Sequence, residues 1–220
     1  MLARKLTAAS GGAVDWYLAG GAPMPVVAYQ PIGAASLADS YLRIAGTGGN
    51  ANLDPAVVGV GVAPAWASGT GWGFNGTTQF LATGVVLLSN RTMLVSFSDR
   101  LNNGVVAGCA SGLNRFTVAP SGITYAASGN QVATVSPPLN AGTVAVSDIA
   151  GYRNGSAETS FTSGAAPSQN VTIGCRGNTG SGGVLSPDSF FAGNIQAIAI
   201  YDTTLTAPQV AAVSAAMAAL

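Results

Sequence analysis

From Trp66 to Tyr201 the chain is cut by turn residues into short apolar or alternating runs. They are GFNGTTQFLAT, TMLVSFSD, GVVAGC, RFTVAP, GITYAAS, QVATVS, TVAVSDIAGYRNG, NVTIGC and GNIQAIAIYD. Runs spaced roughly 8–12 residues apart, with Gly, Pro, Asn and Asp between them, are the pattern of an all-β sandwich or barrel. In NIQAIAIY, Ile195, Ala197, Ala199 and Tyr201 fall on one face and Ile198 and Ile200 on the other. That strand is expected to be covered on both sides. In RFTV, Phe116 and Val118 share a face. The last segment, 206–219, reads most clearly as helical. Thr206 is its N-cap, Pro208 sits in the first turn, and Gln209 three residues after the cap completes a capping box. Val210, Val213, Met217 and Leu220 form one apolar stripe, so the helix should dock by that face.

Composition narrows the partners. Charged residues are 7% of the chain, against roughly 25% in an average soluble protein. With 48% hydrophobic residues the chain is not disordered. Gly, Pro, Asn and Ser interrupt every apolar run before the ~20 residues of a membrane-spanning helix. Formal net charge is zero, which disfavours nucleic acid and anionic membrane surfaces, since both need basic patches. A surface so poor in charge suits a protein packed against copies or partners; a neutral, hydroxyl-rich face on a secreted domain is the alternative. Cys109 and Cys175 end two strand-like runs and form no metal motif. Buried free thiols are expected, with a disulfide open only if their strands are neighbours. The opening MLARKLTAAS has two basic residues but no apolar core after it, and reads as neither signal nor transit peptide.

Ahead of the strand-rich part, residues 1–30 are rich in Gly, Ala and Pro around Trp16-Tyr17-Leu18 and read as an extended arm. Residues 31–65 read as a linker with a short helix over 34–44 and an edge strand in VVGVGVAP. The sandwich itself is expected over 66–220. Exposed on an arm, Trp16, Tyr17 and Leu18 would be a liability. Inserted into a neighbouring subunit or groove they would be an assembly anchor. Packing as an extra edge strand on their own sandwich is the other reading.

The stretch GWGFNGTTQFLATG at 71–84 poses the sharpest local question. It is either the lip of a sugar site or the opening hairpin of the sandwich. Asn75-Gly76 supplies a turn, and Phe74 and Phe80 are expected in the core. Trp72, at the edge of the unit, is left as a surface platform.

Three segments carry a family resemblance: FNGTTQFLAT, GYRNGSA and SFFAGNIQAIAIYDTTLTAPQVAAV. Together they resemble concanavalin A-like jelly rolls of the LamG-like type over about residues 66–220. AYQPIGAASLADSYLRIAG, leading into APAWASGTGWGFNGTTQFLATG, resembles the preamble of LamG-like proteins of tailed-phage virions. The resemblance implies a jelly-roll β-sandwich with a short C-terminal helix.

That class includes glycosidases, whose chemistry needs two carboxylates flanking the scissile bond. This chain has one glutamate, Glu158, and its aspartates Asp15, Asp39, Asp54, Asp99, Asp148, Asp188 and Asp202 are scattered. There is no His, which removes a Ser-His-Asp triad. No enzyme activity and no cofactor are expected. Calcium, held at the rim of many relatives, would have Asp99 with Asn102 and Asn103, or Asp188 with Asn178, as ligands. The same residues read more simply as turn formers. Sugar binding without catalysis remains. Its expected residues are Trp72, Arg176, Asn178 and Asp188, around the loop RGNTGSGGVLSPDS, which otherwise is a solvent loop.

The expected function is a non-enzymatic virion protein, a capsid decoration or fibre-like appendage at the particle surface. Its partners would be other virion proteins or itself, a trimer by analogy with phage appendages, and cell-surface glycans. A secreted or surface carbohydrate-binding module is the alternative, and a degenerate glycosidase using Glu158 the third reading.

Overall fold

A computed structural model of the chain describes residues 15–86, 90–111, 114–119, 124–127, 131–134, 137–162, 169–178 and 186–220. Residues 1–14 of the expected arm, residues 179–185 of the loop after Arg176, and the side chains of Phe116 and Val118 lie outside that description.

The fold is an all-β jelly-roll sandwich with a short C-terminal helix. The first sheet runs β14 (Ser156–Ser160), β13 (Ala150–Arg153), β12 (Gly142–Ser147), β7 (Thr92–Ser98), β16 (Ala192–Tyr201), β1 (Val27–Tyr29) and β2 (Arg43–Ala45). Beside β1, β5 (Gly71–Asn75) pairs the other half of β16, and β4 (Ala65–Ala67) pairs β5. The second sheet runs β11 (Gln131–Thr134), β10 (Thr124–Ala127), β9 (Asn114–Ala119), β8 (Ala107–Ser111), β15 (Asn170–Ile173), β6 (Phe80–Val86) and β3 (Gly61–Val62). Val95, Ile195, Ile198 and Ile200 of the first sheet meet Leu81, Val106, Val171 and Ile173 in the core between the sheets.

A second core covers the outer face of the first sheet. Ala28, Ala145, Ala197 and Ala199 line that face, and helix α3 (Ala207–Met217) packs on it through Val210, Val213 and Met217. The small side chains leave room for the helix, which is why β16 alternates Ala with Ile. The capping box forms as expected, with Thr206 N donating to Gln209 Oε1 at 2.9 Å. Leu220 of the expected stripe is 42% exposed, because the helix ends at Met217. Ile195 is also a correction. The register of β16 on β7 shifts between Ile195 and Ala197, and this bulge turns Ile195 to the inter-sheet core with Ile198 and Ile200.

The expected arm and linker are corrected most. Trp16 and Tyr17 are 6% and 7% exposed and belong to the outer core, with Leu18 packed against it. They form a 3-10 segment, Trp16–Gly21, lying on α3. Trp16 Nε1 donates to Gln30 Oε1 at 2.9 Å, Tyr201 Oη to the Tyr17 carbonyl at 2.7 Å, and Gln209 Nε2 to the Gly21 carbonyl at 3.0 Å. Gly20 is required here: at φ +65° its Cβ would stand 2.6 Å from the Ala212 Cβ. β1 is an interior strand, with Val27, Ala28 and Tyr29 opposite Ile200, Ala199 and Ile198. The sandwich therefore uses the chain well before residue 66. The expected helix over 34–44 shrinks to α1 (Leu37–Ser40), capped by the Ser36 side chain and followed directly by β2. VVGVGVAP divides into the end of α2 (Pro55–Val58) and the edge strand β3.

Asn75-Gly76 makes a turn but not a hairpin. β5 and β6 lie in different sheets, so the turn is a corner of the sandwich. Asn75 Oδ1 accepts from Thr77 N and Thr78 N, each at 3.0 Å, and Gly76 takes φ +76°. Phe74 and Phe80 are buried, at 5% and 8% exposed.

Both cysteines are free and buried. Burial raises the Cys109 thiol far above its ordinary value. Burial likewise pushes Cys175 up to about 12, although Cys175 Sγ donates to Thr172 Oγ1. Neither is a nucleophile at neutral pH.

Candidate functional site

Trp72 is no surface platform. It is fully buried on β5, its Nε1 donates to Ser40 Oγ at 2.9 Å, and its ring stacks on Tyr41 at 6.1 Å. Trp72 and Phe74 are two residues apart on one strand, so both point to the same side. That side is the core.

Arg176, Asn178 and Asp188 do come together, at the base of the loop that they flank. The backbones of Arg176 and Asp188 pair in both directions, at 2.9 and 3.0 Å. Above that pair the guanidinium forks onto the carboxylate, Nε to Oδ1 and Nη2 to Oδ2, both at 2.7 Å. Asn178 Nδ2 donates to the same carboxylate at 3.3 Å. These groups hydrogen-bond to each other and tie Arg176 and Asn178 to Asp188. Burial raises the Asp188 pKa, but hydrogen bonding and charge from Arg176 outweigh it, and the net shift is downward. A lowered folded pKa gives stability that is full above the unfolded value of about 3.9 and lost as pH falls through the folded value. The Asp188 side chain is 39% exposed, so solvent screening keeps the term under about 1 kcal/mol. Between pH 5 and pH 2, thermal unfolding of Arg176→Met is expected to lose less stability than that of the unaltered chain.

The expected calcium residues hold loops. Asp99 Oδ2 accepts from Ser98 Oγ at 3.0 Å and from Asn194 Nδ2 at 2.8 Å. Asn102 Oδ1 accepts from Gly104 N and Ala192 N, and Asn103 Oδ1 from Arg100 Nη1. Among the described residues no group of three or more His, Cys, Asp or Glu is placed to hold a metal ion.

What the sequence did not reveal is a cavity of about 410 Å³ against the second sheet. It is lined by Ala82 and Gly84 of β6, by Val58 and Val60, by Gln169 and Asn170, and by Asn50. α2 places Val58. Asp54 caps it by accepting from Ala56 N at 2.9 Å, and Gly59 ends it in the left-handed region. Asn50 is fixed in three directions. Its N donates to the Thr83 carbonyl at 2.6 Å, its Nδ2 to the Ala82 carbonyl at 2.8 Å, and its own carbonyl accepts from Tyr29 Oη at 2.5 Å. Gly84 leaves room for Asn50: at φ +70° its Cβ would fall 2.6 Å from Asn50 Oδ1. Asn170 is placed by its pairing opposite Val86 across β15 and β6. The lining thus holds three side-chain amides, each able to donate and accept, beside apolar valines and small residues. Among the described residues, no carboxylate lines it. Asn50 stood in the punctuation GTGGNANLDP and Asn170 at the head of a strand. No local pattern links Asn50 to Asn170, since each is brought to the cavity by its own contacts with β6.

No protein-family model matches the chain, and no curated protein sequence matches it. Solved structures share the fold. Domain 4 of a GH43 extracellular arabinanase from Geobacillus stearothermophilus, in complex with arabinotriose, superposes with TM-score 0.50 and 18% identity, covering 70% of this chain and 82% of that one. A Trypanosoma rangeli sialidase gives TM-score 0.52 and 11% identity over 86% of this chain. The botulinum neurotoxin serotype G binding domain gives 0.52 and 14%, also over 86%. The matched region spans 32% of the sialidase chain and 50% of the neurotoxin domain. The chain is similar to these proteins in its β-sandwich architecture.

Proposed function

We propose that this chain is a non-catalytic carbohydrate-binding module whose ligand is a neutral oligosaccharide in the amide-lined cleft. One observation carries the reading. Asn50, Gln169 and Asn170 line a cavity of about 410 Å³ with no charged side chain among the described lining residues. Amides that donate and accept suit vicinal hydroxyls, and the valines suit the C–H face of a sugar ring. The arabinanase domain of the same fold, solved with arabinotriose, supports the choice of ligand class. Titration calorimetry against a panel of neutral oligosaccharides tests it. Gln169→Ala and Asn170→Ala alter partly or fully exposed positions and are expected to weaken binding about tenfold, as for about 1.4 kcal/mol. Equal binding by these variants, or no ligand in the panel, overturns the reading. Glu158 lies on β14, the outermost strand of the other sheet, in an ion pair with Arg153. Release of reducing sugar that disappears in Glu158→Gln would restore the glycosidase reading.

Display on a particle surface, as a virion decoration or appendage, is the second reading. The 7% charge favours it, and so do the exposed valines Val57, Val60, Val62 and Val86. Any such assembly must use a surface other than Trp16 and Tyr17.

A further inference from the structure

Arg91 lies just before β7 and is 6% exposed. Its Nε and Nη1 are buried and meet no hydrogen-bond partner among the described residues. Burial lowers its pKa, and the charge of Asp202 acts the other way. Among the described residues, no carboxylate stands within ion-pair distance of it. A buried guanidinium in this state is costly to the folded protein, and a ligand that draws Arg91 toward the cavity and supplies the missing acceptors offsets that cost.

Arg91 lines a second cavity, of about 350 Å³, with Asp202. Three distant segments build it: the approach to β1, the loop after β2, and the adjoining ends of β7 and β16. Val26 N donates to the Ile200 carbonyl at 2.7 Å, and Gly48 N to the Val26 carbonyl at 3.0 Å. The loop is held close by its glycines. A Cβ on Gly46 would stand 2.1 Å from the Val26 carbonyl oxygen, and one on Gly48 2.4 Å from Val26 Cγ1. Met24 and Pro25 add apolar surface, and exposed Thr47 a hydroxyl.

We infer that this cavity binds a hydroxyl-rich carboxylic acid of single-ring size, such as a hexuronate, with its carboxylate on Arg91 and its hydroxyls donating to Asp202. The planar fork of a guanidinium matches a carboxylate. Ionised Asp202 only accepts, so the ligand must also donate. Its negative charge disfavours a phosphate group of nearly two charges more than a single carboxylate. The volume lies at the small end of ligand cavities, near 300 Å³. Met24 and Pro25 offer the apolar side of a ring its contact.

The test is calorimetry on the full chain at pH 7 with galacturonate, galactose and inorganic phosphate. Galacturonate is expected to bind at least tenfold more tightly than either of the others. Arg91→Met removes the unpartnered charge while keeping the length of the side chain. It is expected to retain or raise the Tm and to lose galacturonate binding by at least tenfold. Arg91→Lys, which keeps the charge without the fork, falls between. Gln169→Ala, in the amide cleft, leaves galacturonate binding unchanged, so this site and the neutral-sugar cleft fail separately. If Arg91→Met does not fold, a Tm raised by galacturonate but not by galactose in the unaltered chain is the deciding result. Galacturonate binding no tighter than galactose or phosphate, or undiminished in Arg91→Met, overturns the inference.

Discussion

A chain that begins at Val26 is expected to lose most of its stability rather than a partner subunit. The deletion removes Trp16 and Tyr17, which are buried on the outer face of the first sheet. Losing a buried aromatic costs about 3–5 kcal/mol, and a whole domain has about 5–15 kcal/mol to lose. It also uncovers an alanine-lined sheet face and the side of α3, an apolar patch that promotes aggregation. Urea unfolding of the full and shortened chains measures the effect, with Trp16→Ala as the milder case at about 3 kcal/mol. A shortened chain with an unchanged unfolding midpoint and a smaller mass by light scattering would return these residues to an assembly role.

Trp72→Ala is expected to be the most damaging single substitution, at about 3–5 kcal/mol. It empties the space of one of the largest fully buried side chains and removes the stacking partner of Tyr41. Trp72→Phe keeps most of the ring but leaves Ser40 without its indole donor, and should cost about 1–2 kcal/mol. Sugar affinity of the folded fraction is expected to be unchanged in both. A variant with full stability and reduced affinity would make Trp72 a binding platform after all.

The parts of the fold legible in the sequence were those whose patterns are local. The capping box at Thr206 and Gln209, the turn at Asn75-Gly76 and the two-sided burial of β16 each depend on residues within a few positions of one another. Ile195 was misplaced because a bulge has no period: it displaces a single residue and leaves the pattern otherwise intact. Trp72 was misread although its spacing from Phe74 was sufficient to place it. The N-terminal segment was opaque for a different reason. VAY is too short to announce a strand, and it becomes one because Ile198–Ile200 lies beside it. Both cavities share this difficulty. Arg176, Asn178 and Asp188 are close in sequence and do touch, whereas Asn50 with Asn170, and Arg91 with Asp202, share a cavity only through tertiary contacts.

β16 has a bearing on how the protein is made. It is the hub of the first sheet, with β7 along one edge and β1 and β5 sharing the other. Until Ala192–Tyr201 has emerged from the ribosome, all three of those earlier strands have an open edge, and β1 waits through the synthesis of every strand between them. Such distant pairing makes for slow folding and a long-lived nascent chain with exposed strand edges. The sandwich should close only after β16 is released, and production in cells should depend on chaperone capacity and growth temperature more than on the stability of the finished molecule.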